Sequence, residues 1–309
     1  MLKRLLCLIA AALAAATLTQ ERSPAATAAR AAPAFAPTRF SVTVEGQGPD
    51  VIMIPGLMSG RAVWDDAVAG LGGAYRVHRL QIGGFAGEPV GGNAEGPMLA
   101  GIVEELHAYI AANRLRRPAL VGHSLGGLIA IMLASKYPDD AGSLLVVDAL
   151  PFYAMMFGPG ITAAAVEPRA AAFREALLAM GEDQYRAQQA TALASLVRDD
   201  KARPRTLAWA LASDRAVAAR AIYEDMIADM RPALPSLRAP LTIAYAVNQV
   251  ATEERFGAIV RAGYAGAPGA RFEPVADSYH FLMLDQPERF EAILKAFLSR
   301  APRESAEAR

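Results

Sequence analysis

One serine in this chain stands where a nucleophile can be built. Ser124 lies in Gly122-His123-Ser124-Leu125-Gly126, after an apolar run that ends at Val121 and before a second apolar run that starts at Gly127. That order reads as a strand, a sharp turn and a helix, and the turn fits the G-x-S-x-G pattern of a nucleophile elbow. A serine on so tight a turn is held in a strained backbone conformation, and its flanks approach neighbouring backbone closely. Gly122 and Gly126 have no Cβ to obstruct that approach. The turn lifts the hydroxyl clear of the sheet and aims a helix N-terminus at any negative charge that forms beside it.

A serine hydroxyl is a poor nucleophile at neutral pH. It needs a base within hydrogen-bond range and a third group to orient that base. The histidines are His78, His107, His123 and His280. His78 falls in a strand and His107 in a helix, and both read as structural. His123 adjoins the serine, but neighbouring side chains in a sharp turn diverge, so it reads as support for the turn. His280 follows the last strand of the chain and precedes an amphipathic helix.

With its strand and helix, the elbow resembles that of the α/β-hydrolase family, and the likeness runs from about Phe40 to about Leu298 with a divergent middle. The resemblance implies an α/β fold: a mostly parallel sheet flanked by helices, with an inserted helical cap. It also implies that His280 is the general base, since its surroundings, Phe281-Leu282-Met283-Leu284-Asp285-Gln286-Pro287, closely resemble those of the family's base histidine. Pro55-Gly56-Leu57 resembles the family's loop after the third strand, with Pro55 in place of His. By position the backbone N–H of Leu57 is then an oxyanion donor, and the N–H of Leu125 is the other. Family members that open epoxides or displace halide use a carboxylate nucleophile, so Ser124 argues against both reactions.

The acid of the triad departs from the pattern. Most family members carry it after the strand that here is Leu241–Val247, where this chain has Asn248. An amide cannot supply the charge that stabilises an imidazolium. Three carboxylate sources remain. Asp148 ends the strand that follows the elbow helix, where some family members place their acid, and it keeps the chain order Ser…Asp…His. Asp277 precedes His280 by three residues. Glu253 and Glu254 lie further along the loop after Val247. Asp148 is the preferred candidate.

The elements around these residues are legible from periodicity. Phe40–Glu45 alternates with period two, Asp50–Ile54 and Ser143–Val147 are apolar runs suited to strands covered on both faces, and Tyr75–Leu80, Leu241–Val247 and Arg271–Val275 complete a set of strands. Gly96 to about Asn113 is helical, and the helix after the elbow is apolar all round and so buried. Strands alternating with helices make a mostly parallel sheet, whose ligands sit beyond the C-terminal strand ends, where Ser124 and Asp148 both fall. From about Leu150 to Ala239 the alternation stops. Helical patterns over about 168–180, 183–197, 204–212 and 214–230 predict the cap. The expected organisation is a leader and linker over 1–38, a hydrolase core over 39–150 and 240–300, a cap over 151–239 and a charged tail over 301–309. Phe152, Tyr153, Met155, Met156 and Phe157 enter the cap directly after Asp148. They either line an apolar acyl pocket or pack the cap on the sheet.

Composition narrows the classes. Lys+Arg and Asp+Glu are both 31, so no basic field invites nucleic acid or an anionic membrane. The single cysteine, Cys7, excludes a disulfide framework and a cysteine metal site, and the four histidines lack ligand spacing. Lys3 and Arg4 precede the apolar stretch Leu5–Ala16, which reads as a secretory signal peptide, with an uncleaved anchor as the alternative. The expectation is therefore a periplasmic or secreted serine hydrolase acting on small-molecule carboxylic esters. It needs no metal or organic cofactor and has no integral membrane span in the mature chain. An acyltransferase, a lactonase, a C–C bond hydrolase or a non-catalytic ligand-binding relative are the alternatives.

Overall fold

Strands that are apolar on both faces need a covering layer on each side, and that requirement organises the chain. The computed structural model describes residues 35–158 and 160–300. Its strands are β1 (Phe40–Glu45), β2 (Asp50–Ile54), β3 (Arg76–Ile82), β4 (Ala119–His123), β5 (Ser143–Val147), β6 (Leu241–Val247) and β7 (Arg271–Ala276). They form one sheet in the order β1-β3-β2-β4-β5-β6-β7. Only β1 is antiparallel to its neighbour, β3; the other pairings are parallel.

Because side chains alternate along a strand, each strand feeds two cores. Ile52, Ile54, Leu120, Leu144, Val146 and Ile243 share a buried cluster with helices α2 (Met98–Ala112) and α3 (Leu125–Lys136). Val51, Met53, Val121, Leu145, Val147 and Ala244 belong to a second cluster with α1 (Asp65–Gly70) and the C-terminal helix Pro287–Arg300. The result is the expected α/β architecture, a mostly parallel sheet flanked by helices. As its composition demands, α3 is buried on nearly all sides, including Leu125, Leu128, Ile129, Ile131 and Leu133.

Four helices lie between β5 and β6: α4 (Ala163–Ala179), α5 (Glu182–Leu196), α6 (Arg203–Ala212) and α7 (Arg215–Ile227). The helix expected from 168 begins five residues earlier. Thr162 caps it by accepting the Ala165 N–H at 3.2 Å, and Pro168 sits inside its exposed face. Pro168 removes one intrahelical donor, and the carbonyl it frees, on exposed Ala164, can turn to water. Asp214 caps α7 through the Val217 N–H at 2.9 Å. On that helix Glu224 accepts the N–H groups of Met98 and Leu99, both at 2.8 Å. The N-cap residue of α2 is Pro97, which makes no side-chain cap bond, so its first turn is capped by a carboxylate more than a hundred residues away.

After β6, a π-helical turn at Glu253–Gly257 runs into α8 (Ala258–Gly263), and α9 (Leu282–Asp285) precedes α10 (Pro287–Arg300). The expected signal peptide, most of the linker and the charged tail lie outside the described residues. Among the described residues no helix is long and apolar enough to cross a membrane.

Candidate active site

Ser124 sits between β4 and α3 with φ 52° and ψ −122°. For a residue with a Cβ that left-handed conformation costs about 1–3 kcal/mol, which the surrounding structure must hold in place. The two glycines explain how it is reached. A Cβ on Gly122 would run into the Gly126 carbonyl, and a Cβ on Gly126 would run into the Ile54 carbonyl. The backbone N–H of Ser124 donates to Val147 at 2.9 Å, one position past the end of β4. Asp148 repeats the arrangement at the end of β5: its φ is 47° and its N–H donates to Ala244 at 2.7 Å.

Asp148 and His280 are brought together. His280 Nδ1 lies 2.7 Å from Asp148 Oδ2. The other carboxylate oxygen, Oδ1, accepts the Ala246 N–H at 2.8 Å, so both oxygens are committed and the carboxylate is fixed in orientation. An acceptor at Nδ1 puts the imidazole proton there and leaves Nε2 bare, the tautomer a general base needs. Ser124 and His280 line the same cavity, and no hydrogen bond joins Ser124 Oγ to His280 in this structure. Such bonds are often long until substrate is bound. The rival carboxylates are elsewhere. Asp277 is exposed, and it is its backbone carbonyl that is engaged, by Arg198 and Gln286. Glu253 accepts from Tyr245 and Arg261, and Glu254 is exposed. Asn248 lines the cavity but spends its amide on the Ser278 carbonyl and its oxygen on the N–H groups of Val250 and Ala251.

His123 is wholly buried and donates from Nε2 to the backbone carbonyl of His280 at 3.0 Å. It therefore supports the loop of the other histidine as well as the turn it belongs to. Burial pushes its pKa well below the usual imidazole range, and nearby His280 pushes the same way. Asp285 ties that loop to the helical segment. Its oxygens accept from Tyr279 at 2.7 Å, Arg198 at 2.8 Å and Asp199 at 3.0 Å, while the Phe281 N–H reaches the Leu196 carbonyl at 3.3 Å. His78 sits between Tyr109 and Asp50, and His107 against Asp140, and neither lines the cavity.

Leu57 lines the cavity and Leu125 is the first residue of α3. Neither backbone N–H is taken up by an acceptor among the described residues. Two free N–H groups flanking the serine are the arrangement that an oxyanion requires. Among the described residues no three His, Cys, Asp or Glu side chains converge on a point that could hold a metal ion.

The cavity above Ser124 has a volume of about 1000 Å³ and a mainly apolar lining. Tyr153, Met156 and Phe157 line it, and their exposures of 43%, 48% and 37% place them at its rim. Phe152 does not line it, contrary to expectation. It is fully buried among Val166, Ala170 and Met226, with the Arg231 guanidinium 4.7 Å above its ring. Met155 turns inward as well, onto the side of Gly263. The reason is periodicity: Tyr153–Phe157 is a 3₁₀ turn, in which residues three apart eclipse. Tyr153 and Met156 share the outer face, and Phe152 and Met155 the inner. The structure adds lining residues that periodicity did not mark, among them Met58, Gln188, Trp209 and Asp225.

A profile of the alpha/beta hydrolase family matches residues 51–293. The chain belongs to the alpha/beta hydrolase family. Among curated proteins, it is 38% identical over 125 residues to a pimeloyl-[acyl-carrier protein] methyl ester esterase of Aeromonas hydrophila, covering 40% of this chain and 47% of that protein. It is 32% identical over 111 residues to the protein of the same name from Vibrio cholerae, covering 36% and 41%. The chain thus spans less than half the length of the curated relatives it matches. Among solved structures, an esterase from Exiguobacterium antarcticum superposes with a TM-score of 0.71 at 17% identity, covering 85% of this chain and 96% of that one. The enol-lactonase of Burkholderia xenovorans LB400 superposes at 0.69 with 18% identity, covering 85% and 97%. At such identities these two likenesses speak for the fold alone.

Proposed function

We propose that this alpha/beta hydrolase cleaves carboxylic esters through an acyl-enzyme on Ser124. The observation that carries the reading is the 2.7 Å contact of His280 Nδ1 with an Asp148 carboxylate that is itself held by the Ala246 N–H, both residues lining the same cavity as Ser124. In the reaction, Ser124 Oγ attacks the ester carbonyl carbon and its proton passes to His280 Nε2. Asp148 stabilises the imidazolium formed, and the N–H groups of Leu57 and Leu125 hold the negative oxygen of the tetrahedral intermediate. The C–O bond to the alcohol then breaks and the alcohol leaves with the His280 proton. Water, deprotonated by the same imidazole, attacks the acyl-enzyme and releases the carboxylic acid and free Ser124.

The curated relatives named as methyl ester esterases support an ester as the bond cleaved. The helices between β5 and β6 act in this reading as a cap, with Tyr153, Met156 and Phe157 at the rim of an apolar pocket that receives the acyl portion. Lys3, Arg4 and the apolar stretch after them support export from the cytoplasm. A fluorophosphonate probe tests the mechanism: it should label the wild-type chain at Ser124 and leave Ser124→Ala unlabelled. A panel of p-nitrophenyl esters of graded chain length should be turned over. Absence of both labelling and turnover would point instead to a ligand-binding member of the fold.

A further inference from the structure

The cavity over Ser124 holds a second acid for which the proposed reaction has no use. Asp225 lies on α7 and lines the cavity together with Ser124 and His280. It makes no hydrogen bond and no ion pair with any described residue, although its oxygens are open to the cavity. The two polar residues before it on the helix are both committed: Glu224 caps α2, and Tyr223 donates to Glu167 at 3.0 Å. No Lys or Arg is among the cavity's lining residues, and the other acid there, Asp148, has both oxygens occupied. The cavity it lines is mainly apolar, with Met156, Phe157 and Ile222 among its residues, and Tyr153 is close enough to feel the Asp225 charge.

An acid left unpaired against such walls is an expensive choice if it serves only as a wall, because desolvation disfavours its charge and an apolar side chain would avoid the cost. Burial pushes the Asp225 carboxyl up to about 7, with nearby His280 pulling the other way, and the Asp225 charge contributes to raising the Tyr153 phenol. Arg169, the cation that opposes this at Tyr153, lies 4.0 Å over the Phe157 ring and forms no ion pair with Asp225. The acid therefore lies near the proposed reacting groups with no cation among the described residues paired to it. A ligand that complements it has a definite chemistry. A protonated amine offers donors to both carboxylate oxygens and restores the charge balance that burial disturbs.

We infer that Asp225 is a specificity-determining residue that seats a protonated amine, so that esters carrying an ammonium group are preferred and esters carrying a carboxylate in the same place are turned away. The inference rests on the ester-hydrolase reading for its substrate class, but the ligand chemistry can be tested without turnover.

The first arm is binding, by calorimetry on the full chain with hexylammonium and hexanoate as probes. Hexylammonium should bind the wild type at least about tenfold more tightly than hexanoate, and Asp225→Asn should abolish that ratio. The second arm compares kcat/KM for the p-nitrophenyl esters of aminohexanoic acid and of adipic acid. The amino ester should be favoured at least about tenfold, and the ratio should collapse in Asp225→Asn. Equal binding of the two probes by the wild type would overturn the inference, whether or not the variant folds. A preference for hexylammonium that survives in Asp225→Asn would overturn it too. If no ester is turned over and Ser124 resists the fluorophosphonate, the ester-hydrolase reading fails, while the binding arm still decides the role of Asp225.

Discussion

His123 Nε2 donates to the backbone carbonyl of His280 at 3.0 Å, so the residue beside the proposed nucleophile holds the loop of the proposed base. The carbonyl fixes the tautomer: the proton is on Nε2, and Nδ1 is bare. Among the described residues that buried Nδ1 has no partner, and a Cβ on Gly56 would sit 2.8 Å away. No acceptor among them can receive a second proton, and the ring stays neutral.

This gives stability a pH dependence with a definite sign. An unfolded imidazole titrates near 6.5, whereas burial keeps folded His123 well below that value. As pH falls through 6.5 the unfolded chain takes up a proton that the folded chain refuses, and stability is lost at up to about 1.4 kcal/mol per pH unit. Urea unfolding between about pH 6.5 and 5 should show a shallower decline in His123→Asn than in the wild type, whatever the absolute stability of the variant. Parallel declines would show that His123 is not the group responsible.

Ser124→Ala and His280→Ala should each lower kcat by about 10⁴-fold or more, and the double variant little further, because the two act as a unit. Asp148→Asn should cost as much as about 10⁴-fold with the fold intact. Its side-chain oxygen would keep the Ala246 N–H, turning the new amide NH₂ towards His280 Nδ1 and forcing the imidazole proton onto Nε2, where it blocks proton transfer from Ser124. Asp277→Asn should retain near-normal kcat, since the Asp277 carboxylate is exposed. The reverse pattern in the two Asp variants would move the acid to Asp277.

Phe157 and Met156 stand at the rim of the cavity, Phe152 outside it. Phe157→Ala should shift the preferred chain length in a panel of p-nitrophenyl esters. Phe152→Ala should leave the preference in place and lower stability by about 3–5 kcal/mol, the cost of emptying a buried aromatic site. A chain-length shift in the Phe152 variant would contradict its inward placement.

Glu224 reaches from α7 to the Met98 and Leu99 N–H groups at the start of α2. Glu224→Ala should destabilise the protein by about 1–3 kcal/mol, read from the urea midpoint, and Glu224→Gln should recover part of it through one remaining acceptor. Loss of the same size in both variants would mean that charge, not acceptor geometry, makes the cap.

Much of this arrangement is local, and what is local was legible. The elbow at Ser124 is five residues long, and its flanking runs announce the strand and helix. Asp148 ends an unmistakable apolar strand, and parallel topology brings such ends to one edge. The inward turn of Phe152 was not legible, because it depends on the three-residue period of a short 3₁₀ turn that composition does not signal. Asp225 and Glu224 were silent for another reason. They are adjacent acids on one helix, and whether each meets water, a cavity or a distant helix terminus is decided by how α7 packs on the rest of the fold. The earlier start of α4 had a signal, Thr162, which Pro168 obscured by looking like a first helical residue.

Ser124 and Asp148 each add a rung to the ladder beyond their strands, through the Val147 and Ala244 carbonyls. The distance between them is set by the spacing of neighbouring strands, about 4.8 Å, and by nothing between residues 151 and 239. His280 is placed differently, because its loop is bound to Leu196, Arg198 and Asp199. In the proposed reading, sequence drift in the helical segment is thus free to rewrite which molecules are admitted without disturbing two of the three proposed reacting groups. The third depends on the stretch from Leu196 to Asp199, which must keep its register. Grafts that exchange this segment between relatives should preserve those junction residues first, since an error there would reach His280 before it changed the chamber.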